Sequence, residues 1–144
     1  MPSAELDRLV SIGLLSHEAP IRAELEGLVQ DAAATLEDAQ NETLAPESRF
    51  RLAYGAVHSV ALAALRWHGY RPRNNRQIVF QALAHTLQVP APVWKMLAHS
   101  PEQRNRREYE GLGEIDERLL ADVITAGIDL LARIRRLPLP PDPE

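Results

Sequence analysis

The sequence predicts an all-α fold, an up-down bundle of four main helices with one or two short extra helices. Three observations carry that prediction. Ala, Leu, Arg, Glu and Gln dominate the composition. Alternating Val/Ile/Thr runs are missing, and apolar residues return at spacings of three and four. Nothing reads as strand.

Helix one is expected to start after Ser3, with Leu6, Leu9, Val10 and Leu14 on one face, and to end in the turn Ser16-His17-Glu18-Ala19-Pro20. Helix two is expected over residues 21–42, where Ile21, Leu25, Leu28, Ala32, Leu36 and Ala39 form a stripe. Its other face is acidic, with Glu24, Glu26, Asp31, Glu37 and Asp38. Pro46 suits the first turn of helix three, and Gly69 suits its C-cap. Within helix three, alanines at 53, 56, 61, 63 and 64 leave small surfaces on several sides, as a central helix needs. His58 and His85 read as satisfied core histidines, and Trp94 and Met96 as core. Helix four is expected over residues 75–87, followed by a short apolar helix at residues 93–97. Ser100-Pro101-Glu102-Gln103 then carries the signature of a fresh helix start. Gly111-Leu112-Gly113 reads as a stop. The last helix, over residues 116–137, should turn Leu119, Leu120, Val123, Ile124, Ile128, Leu131 and Ile134 inward. Residues 138–144 hold four prolines and read as an extended or disordered tail behind a single domain of residues 1–137.

The composition excludes several classes of function. The 144 residues contain no cysteine, so disulfides, thiolate metal sites and a Cys nucleophile are all ruled out. No His or carboxylate pair has a recognisable metal-ligand spacing; no metal and no cofactor are expected. A signal-peptide pattern and an apolar run of membrane-spanning length are both missing, which predicts a cytoplasmic protein with no membrane contact.

The net charge of −4 conceals a strong segregation. Residues 48–101 contain no Asp or Glu, yet carry Arg49, Arg51, Arg66, Arg71, Arg73, Arg76 and Lys95 and four of the five histidines. The remainder of the chain balances nine Lys/Arg against twenty Asp/Glu. Such a distribution suggests a positive surface on an acidic body, and Arg71-Pro72-Arg73-Asn74-Asn75-Arg76 reads as an exposed basic loop.

A second concentration follows. Arg104-Asn105-Arg106-Arg107-Glu108-Tyr109-Glu110 gathers three guanidiniums, an amide and a phenol within seven residues. On a helix, Arg104 shares a face with Glu108 and Asn105 with Tyr109. An Arg–Asn–Tyr surface can grip a phosphate and a base; an intrahelical ion pair on a solvated face is the other reading of the same residues.

Taken in order, Arg49-Phe50-x-x-Ala53-Tyr54-x-Ala56, Ala64-Leu65, Gly69-Tyr70-Arg71 and Arg104-Asn105-x-x-x-Tyr109-Glu110 resemble the HEPN superfamily of helical domains. The nearest likeness is to its small bacterial branch with an R-N-x-x-[ED]-Y-[ED] signature. The resemblance spans residues 48–111 and implies a homodimer whose Arg motifs meet across the interface. It also implies RNA or a nucleotide as ligand, and a cognate antitoxin or nucleotidyltransferase as partner. Many such domains are metal-independent ribonucleases of toxin–antitoxin and defence systems; others are non-catalytic dimerisation and partner-binding modules. Carried onto this chain, the catalytic set is Arg104, Asn105 and Tyr109, with Arg71, Arg73, Arg76, Arg106 and Arg107 holding the nucleic-acid backbone. The chain departs from the active motif at one position, where Tyr109 stands in place of histidine. A phenol near pKa 10 is a poor base at neutral pH, whereas an imidazole near 6.5 exchanges protons readily.

Overall fold

A computed structural model describes residues 3–109, 111 and 115–140; the side chains of residues 106–109 lie outside that description. Seven helices and a short ladder follow in the order α1 (Ala4–Ser11), β1 (Leu15–His17), α2 (Arg22–Ala39), α3 (Pro46–Trp67), β2 (Tyr70–Pro72), α4 (Ile78–Gln81), α5 (Leu83–Thr86), α6 (Ala91–Tyr109) and α7 (Glu117–Arg135). The protein is mostly helical, as its composition predicts.

The helix boundaries follow their local chemistry. Ser3 caps α1, its hydroxyl accepting from Leu6 N–H, and Asp116 caps α7 by accepting from Arg118 N–H. Pro46 occupies the first turn of α3, and Gly69 ends that helix at φ +90°, a conformation that favours glycine.

Helix α3 is the central element. It packs against α2 and α7, and all five of its alanines are buried. From α2 come Leu25, Ala32, Leu36 and Ala39; from α7 come Leu119, Leu120, Val123, Leu130, Leu131 and Ile134. Gly127 of α7 sits close against both helices: an added Cβ would lie 2.9 Å from Leu36 Cδ1 and 3.2 Å from Val57 Cγ1.

Several sequence expectations need correction. Two strands exist: β1 pairs antiparallel with β2 in the register Leu15↔Pro72, Ser16↔Arg71, His17↔Tyr70. Three residues are too few for an alternating pattern to show, and the partner strand is remote in sequence. The expected turn at residues 16–20 therefore begins as strand. Helix four is two short helices that part at Ala82.

Ser100-Pro101 does not start a helix, because α6 runs unbroken through both residues. A mid-helix proline leaves the carbonyl four residues earlier without its N–H donor. That carbonyl belongs to Leu97, and the buried Ser100 hydroxyl donates to it at 2.9 Å. One residue removes the donor and its neighbour replaces it. On α7, Ile128 points outward and is 51% exposed, since Gly127 and Leu131 already hold the inner face; Ile21 is likewise 49% exposed. The start of the tail is ordered against the body, with Trp67 Nε1 donating to Pro138 O at 2.7 Å.

Candidate anion-binding face on helix α3

Spacings of four, three and four place Glu47, Arg51, Tyr54 and His58 on one face of α3. Helix α4 and the turn before it cover the far half of that face. The Phe80 ring lies 5.7 Å from both the Tyr54 and His58 rings, edge-on to the imidazole, and Phe50 stacks on Tyr54 at 6.0 Å. The turn is built by Asn75, whose Oδ1 accepts from Gln77 N–H at 2.9 Å. This holds Arg76 beside the ring cluster, with Arg73, Asn74, Asn75, Arg76 and Gln77 all exposed.

The electrostatics of the cluster follow from that placement. Burial pushes the Tyr54 phenol up, while a hydrogen bond with Gln77 and the charge of Arg76 oppose the shift. Burial first, and the Arg76 charge second, pull the His58 imidazole below its usual value; a hydrogen bond with the Arg76 backbone partly offsets them. His58 Nε2 is buried with no hydrogen-bond partner. The sequence reading of His58 as satisfied is thereby corrected: this imidazole is held neutral, with one nitrogen unanswered.

At the near end of the face, Arg104 of α6 reaches Glu47 and forms an ion pair through Nε and Nη2. Its Nη1 also donates to Asn105 Oδ1 at 3.3 Å. Among the described residues its carboxylate partner is Glu47, on another helix. Arg106, Arg107 and Tyr109 ride on α6 with side chains outside the described residues, as does that of Glu108.

Arg71 lies elsewhere. From Glu47 to Arg66 the axis of α3 extends about 28 Å, and Arg71 belongs to the far end. There its Nε donates to Glu18 at 2.5 Å and its Nη2 to Glu24 at 2.9 Å, and these hydrogen bonds, to Glu24 first and Glu18 second, raise its pKa. Arg71 is therefore half-buried in a two-carboxylate cradle rather than displayed on a loop.

The same cradle holds a residue that the sequence did not single out. Arg66 is fully buried, and its guanidinium makes four hydrogen bonds and a further ion-pair contact. Nε meets Glu24 at 2.7 Å; Nη1 meets Glu18 O at 2.8 Å and Tyr70 O at 3.2 Å; Nη2 meets Ala19 O at 2.8 Å and the Glu18 carboxylate at 3.3 Å. The available signal was a cation directly after the apolar, alanine-rich run of residues 60–65 that ends α3. For Glu24, burial would raise the carboxyl pKa, but hydrogen bonds from Arg71 and Arg66 outweigh it and hold the group below its ordinary value.

Three cations of the acid-free interval are thus consumed internally: Arg66, Arg71, and Arg49, which donates to Ala39 O at 2.8 Å and so caps α2. Arg51, Arg73, Arg76 and Lys95 remain exposed and make no ion pair with a described residue. Arg51 and Arg76 flank Tyr54, with Arg73 three residues from Arg76. That group can attract a phosphate. His58 stands eleven residues, or about 16 Å, along α3 from Glu47, the carboxylate that Arg104 contacts, well beyond the 3 Å or so of a direct proton transfer.

Among the described residues, no helix is long and apolar enough to cross a membrane. Comparison with protein-family models, curated proteins and solved structures finds no significant match.

Proposed function

We propose that this chain is a HEPN-like helical domain whose long helices α2, α3, α6 and α7 form an up-down bundle, and that it binds RNA or nucleotide phosphates without cutting them. Binding runs through Arg51, Arg73 and Arg76 beside Tyr54 on the α3 face. The observation that carries this reading is the division among the arginines of the acid-free interval. Arg49, Arg66 and Arg71 are tied to internal acceptors, whereas Arg51, on the Tyr54 face of α3, and Arg73 and Arg76, in the turn before α4, are exposed and make no ion pair with a described residue. Two features argue against nuclease chemistry at Arg104. Its guanidinium is already neutralised by Glu47, and the neutral imidazole of His58 is too distant to serve the same phosphate.

The test is fluorescence anisotropy of a labelled single-stranded RNA across salt concentrations, run beside a cleavage assay in EDTA. Three phosphate contacts predict a log–log salt slope of about −2. Arg51→Ala/Arg73→Ala/Arg76→Ala should abolish binding, and Arg104→Ala should leave most of it. No binding at low salt, or equal binding by the triple variant, would overturn the proposal. Cleavage by the wild type that disappears in Arg104→Ala would instead establish a ribonuclease that uses Arg104, Asn105 and Tyr109.

A further inference from the structure

Helices α2 and α7 both pack on α3, and near the end of α7 they part over a cavity of about 280 Å³. Leu25 and Val29, four apart on α2, form one wall, and Ile134 and Leu137 form the other. Ala63 and Trp67, four apart on α3, form the floor. A strap of the chain closes one side. Trp67 Nε1 donates to Pro138 O at 2.7 Å, and Leu137 N–H donates to Ile134 O at 3.1 Å, which carries Leu139 over the cavity. Pro138 and Pro140 stiffen that strap by fixing their φ angles. The exposed lining residues Gln30, Arg135 and Leu139 mark the mouth. Glu26 stands there too, but Arg22 answers it at 2.8 Å. Arg135 makes no ion pair with a described residue. The charge on offer at the mouth is therefore positive, and it outweighs the partial negative charge of about half a unit at the α7 C-terminus.

We propose that this cavity binds an unbranched medium-chain carboxylate, its alkyl chain lying on Ala63 and Trp67 and its carboxylate on the Arg135 guanidinium at the mouth. The walls decide the tail of the ligand. They are aliphatic, and the one polar group of the floor, Trp67 Nε1, is already spent on Pro138 O. The volume decides its length: an apolar cavity of about 150 Å³ takes benzene, so one of about 280 Å³ takes about ten carbons. Arg135 decides the head, because the fork of guanidinium donors matches the two oxygens of a carboxylate. Inorganic phosphate would leave the apolar walls unused, and a cationic amphiphile would meet Arg135 with like charge. The cavity stands apart from the phosphate-binding face. Tyr54 and Ala63 are nine residues, or two and a half turns, apart, which puts them on opposite sides of α3.

The test is isothermal titration calorimetry of the full chain with decanoate, which should saturate at one molecule per chain. Octanoate and hexanoate should bind more weakly, by about tenfold for each two carbons removed. Tetradecanoate should bind no more tightly than decanoate, because its added carbons find no room. Arg135→Gln should weaken decanoate by about tenfold, and its exposed position leaves the fold intact. Val29→Trp should fill the cavity and abolish binding, with a helical circular-dichroism spectrum and a cooperative melt to show that the chain is folded. If that variant does not fold, Arg135→Gln and the chain-length series still decide. No saturable binding of decanoate would overturn the proposal. So would several decanoates per chain, affinity indifferent to chain length, decylammonium binding as tightly as decanoate, or an Arg135→Gln variant equal to the wild type. Binding retained by a folded Val29→Trp variant would place the ligand elsewhere and overturn it equally.

Discussion

Replacing Arg66 with methionine tests whether one buried guanidinium fastens the N-terminal segment to the helical body. The substitution keeps an unbranched stem of similar girth and removes every hydrogen-bond donor. Three main-chain carbonyls, those of Glu18, Ala19 and Tyr70, lose this donor. At about 1 kcal/mol for each hydrogen bond lost, one of them buried and two part-buried, that amounts to about 3 kcal/mol. The Glu18 and Glu24 carboxylates keep Arg71, so the full penalty of two orphaned charges does not apply. Adding the lost charge-assisted contact to Glu24 gives a total of about 3–5 kcal/mol, the range for breaking a buried pair from one side. For a chain of this length that corresponds to a fall in melting temperature of about 6–20 °C. Urea and thermal unfolding followed by circular dichroism at 222 nm measure it directly. Arg71→Met is the control: its half-exposed ion pairs are worth about 1 kcal/mol or less. A loss below about 1 kcal/mol for Arg66→Met, or one equal to that of Arg71→Met, would refute the reasoning.

Three further substitutions probe other parts of the fold. Ser100→Ala should destabilise by about 1–3 kcal/mol by leaving Leu97 O unanswered, and far less in a Pro101→Ala background, where the backbone N–H returns; a double-mutant cycle in urea reads the coupling, and additive effects would contradict it. Gly127→Ala should cost about 1–3 kcal/mol, because the new methyl must displace buried Leu36 or Val57, and urea midpoints would show it. His58 titrates lower in the folded chain than in the unfolded one, so its contribution is fully present above the unfolded value near 6.5 and is lost as pH falls through the lowered folded value. Melting temperatures measured from pH 7.5 down to pH 5 should fall less steeply in His58→Gln than in the wild type; parallel curves would show that the imidazole is not the titrating group.

The parts of this fold that were legible in the sequence are those governed by neighbours three and four residues away. The α2 stripe through Leu25, Ala32 and Leu36, the alanine-rich α3, and the caps at Ser3, Pro46, Gly69 and Asp116 all announce themselves within one or two helical turns. What escaped is what depends on distant residues. Arg71 reads locally as a loop cation because Glu18 and Glu24, which absorb its charge, stand 53 and 47 residues away. The β1–β2 ladder is too short to carry a pattern of its own. Ser100-Pro101 satisfies every local rule for a helix start, and only the Ser100 hydroxyl on Leu97 O explains why α6 continues. The candidate site was half legible. Arg73 and Arg76 were found from their position in a polar turn. Arg51, Tyr54 and His58 were passed over because their common face matters only once α4 is laid beside it.

The ladder between β1 and β2 also orders events in time. The α2–α3 hairpin closes over a six-residue connection and can form as soon as its two helices exist, whereas Leu15 must wait for Pro72, a partner 57 positions downstream. A chain emerging from the ribosome therefore carries its first twenty residues undocked until α3 and β2 have both appeared. Only then can Arg66 find Glu18 and Ala19, and Tyr70 its Asp7 acceptor at 2.6 Å. Amide protons in β1 should accordingly be among the last to gain protection during refolding. Any lesion that slows α3 leaves the apolar face of that amphipathic N-terminal helix, with Leu6 at its centre, exposed for longer.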